Sequence, residues 1–164
     1  TAIMKRLLAF GLIVLFYACD HPGEIKQKTG IQTDNNHQAD STLAEKLGAD
    51  EYGMKQYVMA FLKKGPNRNH DSLTAAKIQR AHLDNITQMA EAGKLVLAGP
   101  FMDTGEIRGI YIFNVKTIEE AELLTATDPA IETGRLLMEL HPWYGSAALM
   151  QVNSIHKKIS KKDI

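Results

Sequence analysis

The chain has a single cysteine, Cys19, so no intramolecular disulfide is available to it. It has no excess of either charge: Lys plus Arg and Asp plus Glu each number 19, for a formal net charge of zero. The basic residues are scattered, which excludes the stripe a nucleic-acid-binding surface needs. There is no GxSxG nucleophile elbow, no P-loop and no dinucleotide fingerprint. HxxxH and HxH spacings are missing too, so a zinc site built from His82, His141 and Asp128 has no local support. His21, His37, His70 and His156 are dispersed in expected loops and tails. Neither a metal nor a cofactor is expected. No internal repeat is visible, and the only apolar run, at residues 7–18, is too short to cross a bilayer comfortably.

What is there begins with an address. Lys5-Arg6, the apolar run and Ala18-Cys19 follow the order of a signal peptide over residues 1–19, ending in a lipobox-like cysteine. Met4 is the expected initiator. Lipidation of Cys19 would hold the protein to the membrane of a bacterial cell envelope, on its extracytoplasmic side, each buried methylene contributing ~0.8 kcal/mol. A plain N-terminal anchor with a chance cysteine is the other reading. Residues 20–53 read as a polar tether, since a stretch with so few apolar residues cannot offset its ordering entropy. Within it, residues 43–47 ahead of Gly48 are expected as a short helix capped by Ser41 or Thr42.

Residues 54–152 are enough for one domain with one core, and residues 153–164 read as a basic, solvated tail. The segment 55–62 alternates Tyr57, Met59 and Phe61 with Val58, Ala60 and Leu62. Both faces are apolar, which places this strand centrally in a sheet. A helix running to Gly93 follows, then strands at 94–98 and 107–115 joined through a turn at 103–106. Thr117-Ile118-Glu119-Glu120 is a capping box that starts a second helix to about Thr125. Residues 136–140 form a last principal strand, and 147–152 are expected to add a shorter one. The order βαββαβ is α+β and ferredoxin-like: an antiparallel sheet with two helices on one face. The other face is apolar yet lacks helical cover, so something must bury it.

The first helix carries an anomaly. On a helical wheel Met89, His82, Ala75 and Ile86 fall within roughly 80° of Ile78. A histidine therefore sits in the middle of the core-facing stripe. Its unperturbed pKa of about 6.5 suits it to proton transfer. A buried histidine with one satisfied hydrogen bond is the competing account. Asp128 is similarly double: Asp-Pro followed by a glycine is what an N-cap, an N1 proline and a C′ glycine require for a one-turn helix. A second role is compatible with capping only if one carboxylate oxygen stays free. Gly99-Pro100 ends a strand, either as a plain terminator or as a place where backbone approaches a ligand. Arg108 and Arg135 are available as anion contacts, whereas Arg80 falls on the solvent side. The aromatics of 141–145 are expected to plug a subunit edge rather than to line a pocket.

Together, R-x-H-L at 80–83, A-G-P at 98–100 and D-P-x-x-x-x-G at 128–134 resemble the YciI-like (YCII-related) family over about residues 54–152. The resemblance implies a dimeric α+β barrel, in which two subunits pack sheet to sheet. It also makes His82 that family's proposed active-site residue, with Asp128 beside it to orient or charge the imidazole. Some relatives of the fold resemble dehydrochlorinases and lactone isomerases, an analogy of fold alone. The expected protein is a membrane-tethered homodimer whose cofactor-free His82/Asp128 site performs proton transfer, elimination or isomerisation on a small molecule, with Gly99, Pro100 and Arg108 as ligand contacts. The alternative is a non-catalytic lipoprotein domain that binds a small ligand or a partner protein. An enzyme needs a solvent-reachable cleft at His82, whereas a binding module allows that histidine to be fully buried.

Overall fold

In the computed structural model, residues 38–162 are described. The signal-peptide and Cys19 expectations, and most of the tether, lie outside them. The chain begins with α1 (Ser41–Leu47), whose N-cap is Asp40 rather than Ser41 or Thr42. A carboxylate oxygen one residue upstream accepts the Leu43 N–H at 2.9 Å, and Gly48 closes the helix at φ 69°.

Four strands form one sheet in the order β2-β3-β1-β4: β1 (Met54–Lys64), β2 (Leu95–Pro100), β3 (Ile107–Phe113) and β4 (Leu136–Ser146). All pairings are antiparallel, and β1 is central, as its two apolar faces require. Three further helices lie between strands: α2 (Ser72–Glu91), α3 (Ile118–Thr125) and the single turn α4 (Pro129–Glu132). Val58, Ala60 and Leu62 of β1 join Tyr111 and Phe113 of β3 in the main core, against Met89 of α2 and Ala121 of α3.

β4 runs six residues past the expected Leu140, straight through Pro142. A proline donates no ladder hydrogen bond, but β4 is an edge strand with one row of N–H groups unpaired, so the proline is accommodated there. The expected strand at 147–152 is instead a 3₁₀ turn (Ala147–Gln151), followed by α5 (Val152–Ile159) where a solvated tail was expected. Val152, Ile155 and Ile159 recur at helical spacing, and Asn153 Nδ2 donates to the Leu95 carbonyl at 2.8 Å, tying α5 to β2. Leu149 and Met150 pack on Tyr57, Val96 and Ile112. The second face of the sheet is thus covered at one end by the chain itself. Toward the other end, Phe61 is only partly buried, and Leu137 is exposed.

Candidate active site

His82 lies on the buried stripe of α2, and Asp128 lies at the N-cap of α4 with no exposed surface at all. The imidazole Nδ1 and the Asp128 Oδ2 are 2.7 Å apart. Asp128 Oδ1 meanwhile accepts the Ala130 N–H at 2.8 Å. One carboxylate oxygen caps the helix and the other lies against the histidine, so capping leaves an oxygen for the imidazole. Pro129 at N1 presets the backbone for this geometry, and Gly134 ends the turn at φ 67°.

A carboxylate that accepts on both oxygens assigns the proton of the neutral imidazole to Nδ1 and leaves Nε2 as an acceptor. The Tyr111 hydroxyl is 3.4 Å from Nε2, and the two rings stack with centroids 6.3 Å apart. Burial, and after it the negative charge of Asp128, push the Tyr111 hydroxyl well above the ordinary tyrosine range. Tyr111 is therefore an O–H donor at neutral pH and no base. In register it stands between Ala60 of β1 and Ala98 of β2, two small side chains that leave the ring room on this face of the sheet.

The histidine is buried, yet it borders a cavity of about 460 Å³ at the end of the sheet. Gly99, Pro100 and Arg108 line that cavity together with His82 and Tyr111, as do Arg68 and Arg135. Gly109 lines it too, where the strands approach closely: it pairs with Leu62 and Pro100, and a Cβ there would stand 2.6 Å from the Gly99 carbonyl oxygen. Arg108 is held by its own turn, Nη1 donating to the Asp103 carbonyl at 2.9 Å. Arg80 is exposed and pairs with Asp84, four residues on, outside the cavity lining. The 141–145 segment does not reach the cavity either. Trp143 packs tilted on Tyr57, Tyr144 donates to Asp50, and His141 bonds Glu139 at 2.9 Å. His141 is thus remote from the His82/Asp128 pair, and among the described residues no group of three His, Cys, Asp or Glu is placed to hold a metal.

Several residues here were not singled out in the sequence. Asn85 Nδ2 donates to both the carbonyl and the hydroxyl of Thr127, at 3.2 and 2.9 Å, and so pins the residue before Asp128 to α2. Its signal was present, since Asn85 lies about 20° from Ile78 on the wheel, as central to the stripe as Met89. Tyr111 carried no comparable signal, because strand alternation marks which face an aromatic occupies but not what its hydroxyl meets.

A ferredoxin-like α+β domain with a buried His–Asp pair opening on a cavity is the class these features define. The family model described as the YCII-related domain matches residues 55–143. The chain belongs to the YCII-related family. Among solved structures, it is similar to a 5-chloro-2-hydroxyhydroquinone dehydrochlorinase from Burkholderia phenoliruptrix AC1100, determined in complex with 2,5-dihydroxybenzoquinone. The identity is 16%, the TM-score 0.41, and the match covers 52% of this chain and 92% of that one. No curated protein matches the sequence.

Proposed function

We propose that the domain is a cofactor-independent acid–base catalyst acting on a small molecule, with His82 as the proton acceptor and donor. One observation carries the reading: an imidazole fixed at Nδ1 by Asp128 at 2.7 Å lines a cavity large enough for a small substrate. A histidine kept only for packing has no need of a cavity at its ring. Asp128 orients the ring and supports the imidazolium that forms when Nε2 takes a proton. Tyr111, protonated and adjacent, can return a hydrogen bond to an oxygen on which charge develops. Gly99, Pro100 and Arg108 contact the ligand. The same cavity would serve the alternative, a binding module, which differs in leaving Nε2 idle.

Solvent-deuterium exchange into a panel of small carbonyl compounds with acidic C–H bonds, followed by proton NMR, separates the two. Wild type should exchange at least one of them, and His82→Gln should slow that exchange by about 10²–10⁴-fold, the usual range for a general base. Equal exchange by the two proteins, with both folded, would leave the binding reading.

The cellular setting is part of the proposal. Lys5-Arg6, the apolar run and Ala18-Cys19 support a lipid anchor at Cys19 and an extracytoplasmic domain. The part of the sheet around Phe61 and Leu137 that the 3₁₀ turn leaves open supports a homodimer formed through that face. No helix among the described residues is long and apolar enough to cross a membrane. Cys19→Ser should move the protein from the membrane to the soluble fraction, where light scattering at micromolar concentration should give twice the chain mass. Retention in the membrane would overturn the anchor, and a monodisperse monomer would overturn the dimer.

A further inference from the structure

Three arginines, Arg68, Arg108 and Arg135, are among the residues that line the cavity, and not one Asp or Glu is. Asp128, behind the imidazole, has both of its oxygens engaged. Ion pairs among the described residues join Lys63 to Glu139, Lys64 to Glu106, Arg80 to Asp84 and the two histidines to their carboxylates. None of them uses a cavity arginine. Two of these side chains, those of Arg68 and Arg108, are instead held by backbone carbonyls, which fix a guanidinium without neutralising it. Arg68 Nη1 donates to the Arg135 carbonyl at 3.1 Å, and Arg108 Nη1 to those of Asp103 and Gly105 at 2.9 and 3.4 Å. A guanidinium has five N–H donors in a planar fork, so each keeps most of its donors for another partner. Three like charges close to one cavity repel each other, and an anion bound among them would relieve that repulsion.

The rest of the wall narrows the kind of anion. Leu62, Leu83, Ile86 and Leu136 give the cavity an apolar side, which an inorganic oxyanion would leave unfilled. We infer that the cavity takes a small organic acid. Its oxyanion group sits on the half-buried Arg108 and Arg135, with the more exposed Arg68 nearby, and its carbon body lies against the leucines and Ile86. The inference rests on the acid–base reading only for the orientation of the ligand, whose proton-exchanging carbon would face Nε2 of His82. Recognition of the anion is independent of turnover.

The test is calorimetric binding to the full chain in detergent at low ionic strength, with three probes: benzoate, benzyl alcohol and inorganic phosphate. Benzoate should bind about tenfold or more tightly than benzyl alcohol, the return expected from charge-assisted hydrogen bonds. It should also bind more tightly than phosphate, which has no body for the apolar wall. Arg108→Gln and Arg135→Gln should each weaken benzoate by about tenfold or more, while Lys77→Gln, on the exposed side of α2, should not. The Arg135 contacts named above use its backbone carbonyl, which the substitution keeps. Benzyl alcohol binding as well as benzoate, or full affinity in both arginine variants, would overturn the inference. Phosphate binding as tightly as benzoate would overturn its organic half. Equal exchange by wild type and His82→Gln, with benzoate affinity still lost in the arginine variants, would overturn the catalyst alone, so the two proposals fail separately.

Discussion

Asp128→Ala should destabilise the folded domain by about 2–4 kcal/mol, read as a shift of the urea midpoint at unchanged slope. Two losses coincide in one side chain. The Ala130 N–H loses its cap, worth about 1 kcal/mol at a typical N-terminus. The His82 Nδ1–H loses its acceptor in a site closed to water, and an unsatisfied buried donor costs about 1–3 kcal/mol. Asp128→Asn should behave differently. Its amide oxygen can still cap Ala130, so most of the stability should remain. The amide nitrogen then faces Nδ1 and is itself a donor, which forces the imidazole proton onto Nε2 and removes the acceptor from the cavity. Nitrogen chemical shifts of the ring should report that exchange of tautomers. An alanine variant with the wild-type midpoint would show that the carboxylate contributes nothing to the fold.

The second large effect is expected at Gly65. Its backbone φ is unremarkable, and the constraint is space. A Cβ placed there would stand 2.1 Å from the Gly134 carbonyl oxygen and 2.8 Å from the Arg135 carbonyl carbon. Both obstacles are backbone, which cannot rotate aside as a side chain can. Gly65 N–H donates to the Arg135 carbonyl at 3.0 Å, and Asn67 N–H to that of Gly134 at 3.1 Å. The loop after β1 is thus laid directly on the entry to β4. Gly65→Ala should cost about 3 kcal/mol or more, the upper end of overpacking. It should also weaken anion binding, because the segment it displaces carries Arg135. A variant with wild-type stability and affinity would mean that the two chain segments part without cost.

Most of this arrangement could be read from the residues. The central place of β1 follows from its two apolar faces, and α4 from Asp-Pro with a glycine beyond. His82 was legible as a polar group on an apolar stripe, and the link to Asp128 came from the family motifs. What escaped was tertiary. Tyr111 matters through its hydroxyl, and neither alternation nor propensity locates the far end of a side chain. The 147–151 segment, Ala-Ala-Leu-Met-Gln, is a short apolar run, and such runs do not distinguish a strand from a helical turn. The helix after it was legible in Val152, Ile155 and Ile159 but was masked by four lysines among the last eight residues.

The cover that Leu149 and Met150 lay over Tyr57, Val96 and Ile112 also restricts how two copies could meet. Isologous pairing needs a twofold axis through a patch that is its own complement. That axis cannot pass through the covered end, because each copy's 3₁₀ turn would occupy the other's place. It is pushed toward Phe61 on β1 and Glu139 opposite it on β4. Residues close to such an axis meet their own counterparts, so a single substitution at Phe61 would be felt twice at one point.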